Sequence, residues 1–274
     1  MELSIITINW NNAVGLKKTM ESVIAQSCQN FEYIVVDGGS SDGSVDIIKN
    51  YDNIPNLKWI SEKDKGIYNA MNKGIKMASG EYVQFLNSGD SLTDKDVVKK
   101  MLDEVEKNGH PDIMTGNLLK DYGKVIIRDS NSLDKINLWH FYNGSINHPS
   151  SYIKLDLFEK YGLYDESLRI VSDWKWFMNV IVFNNVKPVF VNVDVVLFDT
   201  NGISETNEQL NIDEKLKVLR TVLRPAVVAD YHRYNRDIMM MERIHRHKLA
   251  FKLVKLIERV LFKIESKKTD YVKR

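Results

Sequence analysis

Residues 31–51 read FEYIVVDGGSSDGSVDIIKNY, and this segment changes its character twice. The first seven residues are mostly apolar and β-branched, which predicts a buried strand that ends at Asp37. GGSSDGS then predicts a turn whose hydroxyl and carboxylate side chains are typical of a helix cap. SVDIIKNY follows and predicts a helix. The segment is therefore one strand–turn–helix unit.

Similar units lie on both sides of this segment and fill the first half of the chain. The predicted strands are LSIITIN (3–9), LKWIS (57–61) and EYVQFL (81–86), and the predicted helices cover 13–27, 66–78 and 94–107. We expect acidic side chains to cap the last of these helices. Such alternation predicts an α/β fold with a mostly parallel sheet covered by helices on both faces.

The second half of the sequence is less regular and ends in a long helical region. From about Asn207 onward the pattern is helical and is interrupted at Pro225. We therefore expect a domain at residues 1–205 and a helical extension at 206–274. The remaining predicted elements are a hairpin from DIMTGNLLK and GKVIIRD, a helix at 155–162 that ends at Gly162, an apolar helix at 172–185 and a strand at 187–199.

The composition is that of an ordinary globular protein. Hydrophobic residues make up 43% and charged residues 27% of the 274 residues. Cys28 is the only cysteine, which excludes an intrachain disulfide and favours a reducing compartment. The sequence contains neither a run long enough to cross a bilayer nor a signal-peptide core. These features predict a cytoplasmic location.

The net charge of +1 is unevenly distributed. Residues 241–274 contain 11 Lys and Arg against 4 Asp and Glu, a net charge of +7, so the other 240 residues carry −6. A basic amphipathic helix is typical of a membrane-surface element, but it is equally typical of a helix that packs on protein with its lysines in solvent. Nucleic acid fits poorly because the body is acidic. The basic stripe comprises Lys252, Lys255, Arg259 and Lys263, and the apolar stripe Leu253, Ile257, Val260 and Ile264.

Carboxylates follow several predicted strands or loops at one edge of the sheet. Asp37, Asp64 and Asp90 would all lie at the carboxyl ends of parallel strands, where ligands bind in such sheets. Each one alone is more simply a turn former. Together they repel one another unless a cation or hydrogen-bond donors lie between them. The sequence has no GxGxxG or GxxxxGK[ST] motif, so neither a dinucleotide fold nor a P-loop is supported.

Several ordered motifs together resemble a known family. They are IITINWNN, VVDGGSSDGS, ISEKDKGIYNAMNKGIKMASGEYVQFLNSGD, NHPSSYI, YGLYDESLRIVSDW and FDTNGIS. The chain resembles the family 2 glycosyltransferases of the GT-A fold over about residues 2–204, and it is similar to the bacterial subgroup that assembles polysaccharide on a lipid carrier. The resemblance implies a nucleotide-sugar donor on the N-terminal half and a glycan or lipid-linked acceptor on the C-terminal half.

The resemblance also implies which residues contact the donor. Many relatives carry an arginine where this chain has Met71, so Lys65 is expected to supply the positive charge near the diphosphate. The nucleotide-binding residues expected in this way are Asn9, Asn11, Asp37, Asp64 and Lys65.

The stretch FLNSGD (85–90) occupies the place of the family's Asp-any-Asp metal motif. Asn87 and Gly89 stand where aspartates are usual, and Asp90 is the remaining carboxylate. We expect Asp90 to anchor Mg²⁺ or Mn²⁺ while the donor diphosphate supplies most other ligands. The alternative is that Asp90 only caps the following turn.

Inverting transfer also needs a base that takes the proton of the acceptor hydroxyl. The resemblance assigns this role to Asp173 in VSDW, although Asp173 or Ser172 would also suit as a helix cap. Trp174 and Trp176 cannot share one helix face, so we expect one to pack and the other to line an acceptor cleft. His148 could contact the donor phosphates or the acceptor, but a lone loop histidine is more often structural, and we expect that role.

The function expected is an inverting, metal-dependent glycosyltransferase of cell-surface polysaccharide biosynthesis. One alternative is a sugar-nucleotide-binding protein that has lost catalysis, because the metal motif is eroded. The retention of both Asp90 and Asp173 argues against it. A nucleotidyltransferase would need a glycine-rich basic loop after the first strand, and INWNNAVG lacks one. The base, the sugar, the acceptor and the oligomeric state are left open.

Overall fold

The structure is a computed structural model, and it describes residues 1–130, 136–200, 202 and 206–268. Two compact units can be separated, Met1–Val218 and Leu219–Arg274. This division falls later than the boundary predicted at residue 205. The reason is a contact within the first unit, where the Glu214 carboxylate accepts hydrogen bonds from the backbone N–H groups of Arg169 (2.8 Å) and Ile170 (3.0 Å).

Within the described residues, nine strands form one sheet in the order β3-β2-β1-β4-β8-β6-β9-β5, with β7 paired to β6. Strands β1 to β4 run parallel, while β8 pairs antiparallel with both β4 and β6. The α/β class and the parallel first half are therefore confirmed. The strands are β1 (Leu3–Asn9), β2 (Phe31–Asp37), β3 (Leu57–Ser61), β4 (Tyr82–Phe85), β5 (Ser91–Leu92), β6 (Ile113–Asp121), β7 (Ile126–Asp129), β8 (Ser151–Lys154) and β9 (Val189–Asp199).

The helices of the first unit follow the predicted pattern closely, with α5 and the short strands β5 and β8 as additions that sequence reasoning missed. The helix after Val171 is shorter than predicted and continues as a π-helical turn over Asn179–Phe183. The helices are α1 (Ala13–Ile24), α2 (Ser44–Lys49), α3 (Ile67–Met77), α4 (Val97–Lys107), α5 (Leu138–Asn143), α6 (Asp156–Tyr161), α7 (Ser172–Met178) and α8 (Glu208–Val222).

The second unit holds the end of α8 and two further helices, α9 (Pro225–His245) and α10 (Lys248–Lys268). Pro225 occupies the first turn of α9, so the predicted break there is confirmed. A second break follows at Arg246, which caps the C-terminus of α9. Of the helices in the described ranges, none is both long and apolar enough to cross a membrane.

The core lies on both faces of the parallel strands. Every residue of β1 and β2 is buried because helices cover both faces of the sheet. On one face Leu16 and Met20 of α1 join the main apolar cluster. On the other face α3 approaches β1 closely, since a Cβ on Gly74 would lie 2.4 Å from Cγ2 of Ile6. Glycine at this position permits that approach.

The predicted acidic cap of α4 is confirmed in position but not in its hydrogen bond. Asp96 occupies the N-cap position, but its side chain makes no capping hydrogen bond to any described backbone group of the helix. Its Oδ1 instead accepts a 2.6 Å hydrogen bond from the hydroxyl of Ser27. The carboxylate therefore ties the loop after α1 to α4, and the helix begins at Val97 rather than at residue 94.

Candidate active site

The ends of the first three strands align at one edge of the sheet. Asn9 lies opposite Asp37, and Asp37 lies opposite Ser61. The Asp37 carboxylate is fully buried and accepts five hydrogen bonds, from the side chains of Asn9, Ser40 and Ser61 and from the backbone N–H groups of Gly39 and Ser40. Burial alone would raise the pKa of Asp37, but the hydrogen bonds from Ser40 and Ser61 outweigh it and hold that pKa below its usual value.

Asp37 therefore fixes the loops that form the floor of the site. A carboxylate offers about four lone-pair positions, and the surrounding chain occupies those of Asp37. The expected contact of Asp37 with the nucleotide stays a prediction.

Asn9 and Asn11 join the loops after β1 and β2. Asn9 donates to Asp37 (2.8 Å) and accepts a hydrogen bond from the hydroxyl of Ser88 (2.8 Å), so it also reaches the loop after β4. Asn11 has a positive φ of 48° and accepts a 2.9 Å hydrogen bond from the backbone N–H of Ser41. Both asparagines thus hold the two loops in a fixed relation, with Asn11 exposed and Asn9 buried.

Trp10 lies between these asparagines, and sequence reasoning overlooked it. Its side chain is 71% exposed, which is unusual for a large aromatic residue. It lies beside Gly38, where an added Cβ would be 3.2 Å from Cδ1 of Trp10 and 3.0 Å from Oδ2 of Asp64. The ring of Trp10 and the Asp64 carboxylate therefore flank one small residue. An exposed tryptophan directly after a buried strand is the signal that could have revealed it.

Asp64 is held by an ion pair with Lys73 of α3. The Lys73 ammonium also contacts the carboxylate of Glu62 at 2.9 Å. Burial opposes the charge of Lys73, but Asp64 and Glu62 outweigh this effect and raise its pKa. Met71 is buried, whereas Lys65 is exposed at the edge of the site. The structure brings Asp64 to the site, and the role of Lys65 toward a diphosphate stays a prediction.

The turn Asn87–Asp90 is clamped by α1. The hydroxyl of Thr19 donates to the backbone carbonyl of Asp90 (2.6 Å) and accepts from the backbone N–H of Gly89 (3.0 Å). The ammonium of Lys18 donates to the carbonyl of Gly89 at 2.9 Å. Lys18 and Thr19 were not singled out from the sequence, because a helix gives no indication of which loop it will touch.

Asp90 is 2% exposed and lies beside Asp199 at the end of β9. Its Oδ1 accepts a 2.9 Å hydrogen bond from the backbone N–H of Asp199, while its Oδ2 is buried without a partner among the described residues. Burial raises the pKa of Asp90 to about 7, and the charge of Asp199 adds to this shift while the nearby Lys18 opposes it.

The residues of this turn fit a hard divalent cation. Oδ1 of Asn87 is also buried and without a partner in the described part of the chain. Two unpaired oxygens in one short turn are costly unless a ligand satisfies them, and oxygen is the donor that Mg²⁺ and Mn²⁺ prefer. Across residues 1–130, 136–200, 202 and 206–268 no three His, Cys, Asp or Glu side chains form a cage that would hold a metal alone. A cation here would need further ligands from a bound molecule.

Asp173 lies in the first turn of α7 and is held from α3. The hydroxyl of Tyr68 donates a 2.7 Å hydrogen bond to its Oδ1. The predicted cap is wrong for both candidate residues. Val171 occupies the N-cap position without a side-chain capping bond from the described chain, and Ser172 accepts a hydrogen bond from the backbone N–H of Asp165 (2.6 Å). The Asp173 carboxylate is consequently not used to start the helix.

Two basic side chains, His148 and Lys215, lie close enough to Asp173 for its charge to affect their pKa values. His148 is 5% exposed, stacks on Phe85 with ring centroids 4.8 Å apart, and has an Nε2 without a hydrogen-bond partner among the described residues. Burial lowers its pKa, and the charge of Asp173 opposes that shift. Lys215 of α8 lies over the ring of Trp174 at 5.4 Å; burial lowers its pKa also, again opposed by Asp173.

The prediction that Trp174 or Trp176 lines a cleft is wrong. Trp174 is 2% and Trp176 is 4% exposed. Their indole N–H groups donate to the carbonyls of Phe141 and Gly162, each at 2.8 Å. Both rings therefore belong to the core, because α5 and the glycine that ends α6 each supply a carbonyl acceptor. Of the FDTNGIS loop, residues 201, 203 and 204 lie outside the described residues.

This arrangement defines a class of protein. Loops with a fixed floor, an exposed aromatic ring, a turn with unpaired oxygens and a separate carboxylate meet at the carboxyl end of a sheet of the GT-A glycosyltransferase type. A family model described as glycosyl transferase family 2 matches residues 4–163. The chain belongs to glycosyl transferase family 2, and the predicted family and fold are confirmed.

Curated and solved proteins are similar to this chain. A PGL/p-HBAD biosynthesis glycosyltransferase of Mycobacterium bovis is 30% identical over 217 residues, which cover 74% of this chain and 79% of that protein. S. aureus TarS 1–349 in complex with UDP-GlcNAc matches with a TM-score of 0.63 at 21% identity, over 75% of this chain and 61% of that chain. The mannosyltransferase PcManGT from Pyrobaculum calidifontis, in complex with GDP-Man and Mn²⁺, matches with a TM-score of 0.56 at 15% identity, over 72% and 56%. This chain thus spans about three fifths of these solved chains, and at these identities they show the fold alone.

Proposed function

We propose that this chain is an inverting, metal-dependent glycosyltransferase that moves a sugar from a nucleoside-diphosphate sugar to an acceptor hydroxyl. The observation that carries the proposal is the pair of carboxylates at one end of the sheet. Asp90 has a buried, unpaired oxygen within the described chain, and Asp173 is held by Tyr68 at the start of α3. A protein that only binds a sugar nucleotide has no need of the second carboxylate.

The donor side is formed by the loops after β1, β2 and β3. The exposed face of Trp10 suits stacking on a nucleobase, and Asn11 lies exposed beside it. Lys65 is exposed on the loop before α3, where its ammonium can meet a diphosphate. TarS and PcManGT, which share the fold, are in complex with UDP-GlcNAc and GDP-Man respectively.

The cation side is formed by the turn at the end of β4. Asp90 and Asn87 would hold Mg²⁺ or Mn²⁺ through their unpaired oxygens, which have no partner elsewhere in the described chain. A cation bound there supplies positive charge against the negative charge that develops on the departing diphosphate. Lys18, which already donates to the Gly89 carbonyl, adds a fixed positive charge at the same turn.

Asp173 acts as the base on the acceptor side. The acceptor oxygen forms the new bond to the sugar carbon, the bond from that carbon to the diphosphate oxygen breaks, and the proton of the acceptor passes to Asp173. Tyr68 holds the carboxylate at 2.7 Å and so keeps one oxygen oriented while the other faces the acceptor. Attack from the face opposite the leaving group inverts the configuration at that carbon.

The cellular role that fits is the assembly of cell-surface polysaccharide on a lipid-linked acceptor at the cytoplasmic face of a membrane. Helix α10 supports a peripheral attachment, because its apolar stripe is exposed: Leu253 is 59%, Ile257 49% and Val260 50% exposed. Lysines and arginine follow the same helix and complement anionic headgroups. The resemblance to the lipid-carrier subgroup points the same way.

The test combines binding with turnover. The melting temperature is measured with a panel of nucleoside diphosphates, each with and without Mn²⁺, because a ligand that binds only the folded state raises it. We expect one diphosphate to stabilise the chain more strongly with Mn²⁺. Transfer is then measured for the wild type, for Asp173→Asn, and for Asp156→Asn as a matched change in the first turn of α6.

The expected result is that Asp173→Asn keeps the diphosphate-induced shift and loses transfer by about a thousandfold or more, within the range of general-base contributions. Asp156→Asn should behave as the wild type. Near-normal turnover of Asp173→Asn would contradict the assigned base. A wild type that binds a diphosphate but consumes no sugar nucleotide would favour a protein that only binds.

A further inference from the structure

We propose that Asp199 is the second carboxylate of the cation site and takes the place of the aspartates that positions 87 and 89 lack. The inference rests on the metal-dependent function proposed above. It goes beyond it by assigning a ligand from β9, which lies far from the turn in sequence.

The first support is the space beside Gly89. An added Cβ at this position would lie 2.5 Å from Oδ2 and 3.3 Å from Cγ of Asp199. The Asp199 carboxylate thus occupies the volume into which a side chain at position 89 would project. Gly89 also has a φ of 109°, a conformation that L residues rarely adopt. Asp199 therefore places a carboxylate where the side chain of an aspartate at position 89 would lie.

The second support is strand register. Strands β5 and β9 pair antiparallel, with Ser91 opposite Leu197 and Leu92 opposite Val196. Continuing this register by two residues places Asp199 opposite Gly89. The pairing of β5 with β9 consequently brings a carboxylate to the metal motif from the other side.

The third support is the contact with Asp90. The backbone N–H of Asp199 donates to Oδ1 of Asp90, which leaves Oδ2 of Asp90 buried and without any partner among the described residues. Asp90 is 2% exposed, and its carboxylate lies against the backbone of Asp199. Two adjacent carboxylates repel each other, and a divalent cation bound by both would replace this repulsion with attraction.

Asn87 completes the set from within the described residues. Its Oδ1 is buried and lacks a partner there, and a neutral amide oxygen is an ordinary ligand for these cations. Asp90, Asp199 and Asn87 would supply three oxygens with two negative charges, the same charge that an Asp-any-Asp motif carries. The donor diphosphate and water would complete the coordination.

The test measures Mn²⁺ binding directly, without turnover. Free Mn²⁺ is followed by electron paramagnetic resonance while it is titrated with the wild type, with Asp90→Asn, with Asp199→Asn, and with Asp194→Asn. Each protein is titrated first alone and then with each nucleoside diphosphate of the panel. Asp194 is the matched control, since it is a carboxylate of the same strand that binds Arg128 and Asn117 and is not part of the proposed ligand set. Circular dichroism and the metal-free melting temperature verify that each variant is folded.

We expect Asp90→Asn and Asp199→Asn each to weaken Mn²⁺ binding about tenfold or more, because each removes one ligand charge. Asp194→Asn should bind as the wild type does. If Asp90→Asn loses affinity while Asp199→Asn retains it, the role of Asp199 is refuted and the metal-dependent function stands. If the wild type binds no Mn²⁺ either alone or with any nucleoside diphosphate of the panel, both proposals fail together.

Discussion

The hydroxyl of Tyr68 donates a 2.7 Å hydrogen bond to Oδ1 of Asp173, across a separation of 105 residues. Tyr68 belongs to α3 and is 4% exposed. Burial and the charge of Asp173 hold the pKa of Tyr68 well above its usual value, so the hydroxyl is protonated at neutral pH and can donate. The orientation of the proposed base therefore depends on an element other than the one that carries it.

Tyr68→Phe should lower kcat while leaving the KM for the donor nearly unchanged. A hydrogen bond to a charged group contributes about 1.5–3 kcal/mol, which corresponds to roughly a 10- to 150-fold loss in rate if it is formed in the transition state. Steady-state kinetics of transfer would measure both constants.

Tyr164→Phe is the matched control for that substitution. Its ring lies 5.7 Å from the ring of Tyr68, and its buried hydroxyl has no hydrogen-bond partner in the described part of the chain. Removing an unpaired hydroxyl should leave kcat and stability nearly as they are. Equal losses in the two variants would mean that packing, rather than the bond to Asp173, determines the rate.

Trp10→Ala should weaken nucleotide binding without unfolding the protein. The ring is 71% exposed, so its removal costs little packing. Stacking of a base on an aromatic ring contributes about 1–3 kcal/mol, so Kd for the diphosphate should rise by roughly 5- to 150-fold. Titration calorimetry measures this, and Trp10→Phe, which keeps an aromatic face, should retain most of the affinity. Unchanged binding by Trp10→Ala would place the base elsewhere.

Glu32 should make the protein sensitive to acid. It is 1% exposed and accepts hydrogen bonds from Lys58 (2.6 Å), Ser4 (2.6 Å) and Ser79 (2.9 Å). Burial opposes its ionisation, but Lys58 and the two serines outweigh burial and lower its pKa to about 2 from 4.5. Since the folded-state pKa is depressed, its stabilisation is complete above about pH 4.5 and is lost as the pH falls toward 2.

That shift corresponds to about 3 kcal/mol of unfolding free energy. Glu32→Gln should therefore be less stable at pH 7, and its free energy of unfolding should fall less steeply between pH 4.5 and 3. Urea denaturation at several pH values measures both effects. Glu21→Gln, at an exposed position on α1, should follow the wild type. Parallel curves for Glu32→Gln and the wild type would contradict the depressed pKa.

Helix α10 should bind anionic lipid surfaces. The chain should sediment with vesicles of phosphatidylglycerol and phosphatidylcholine. A much smaller fraction of the protein should sediment with vesicles of phosphatidylcholine alone. Reversing Lys252, Lys255 and Arg259 to Glu should abolish the difference, because each basic residue near the surface contributes about 1 kcal/mol. Arg236→Glu on α9 is the control. Vesicle binding that does not depend on lipid charge or on these residues would contradict the proposal.

The first half of the fold could be predicted because its signals are local. The strands at 3–9, 31–37 and 57–61 were predicted at their observed bounds. The first two are buried on both faces and therefore form continuous apolar runs, whereas the strand at 57–61 lies at the edge of the sheet and is only partly buried. The helix that ends at Gly162 was predicted because glycine commonly follows the last turn of a helix. Its φ of 89° is a conformation that favours glycine. The two-residue strand β5 carries no such signal, because its structure depends on pairing with β9.

The site was predictable only in part, and Asp199 shows where the limit lies. The sequence alone determined the family, the parallel sheet, and the edge at which Asp37, Asp64 and Asp90 lie, because apolar runs and the residues that end them are local properties of the chain. The tertiary structure decided three relations. Hydrogen-bond donors occupy the carboxylate of Asp37, Tyr68 holds Asp173, and Asp199 lies beside Gly89. Those relations join residues far apart in the chain, and only strand pairing and helix packing bring such residues into contact.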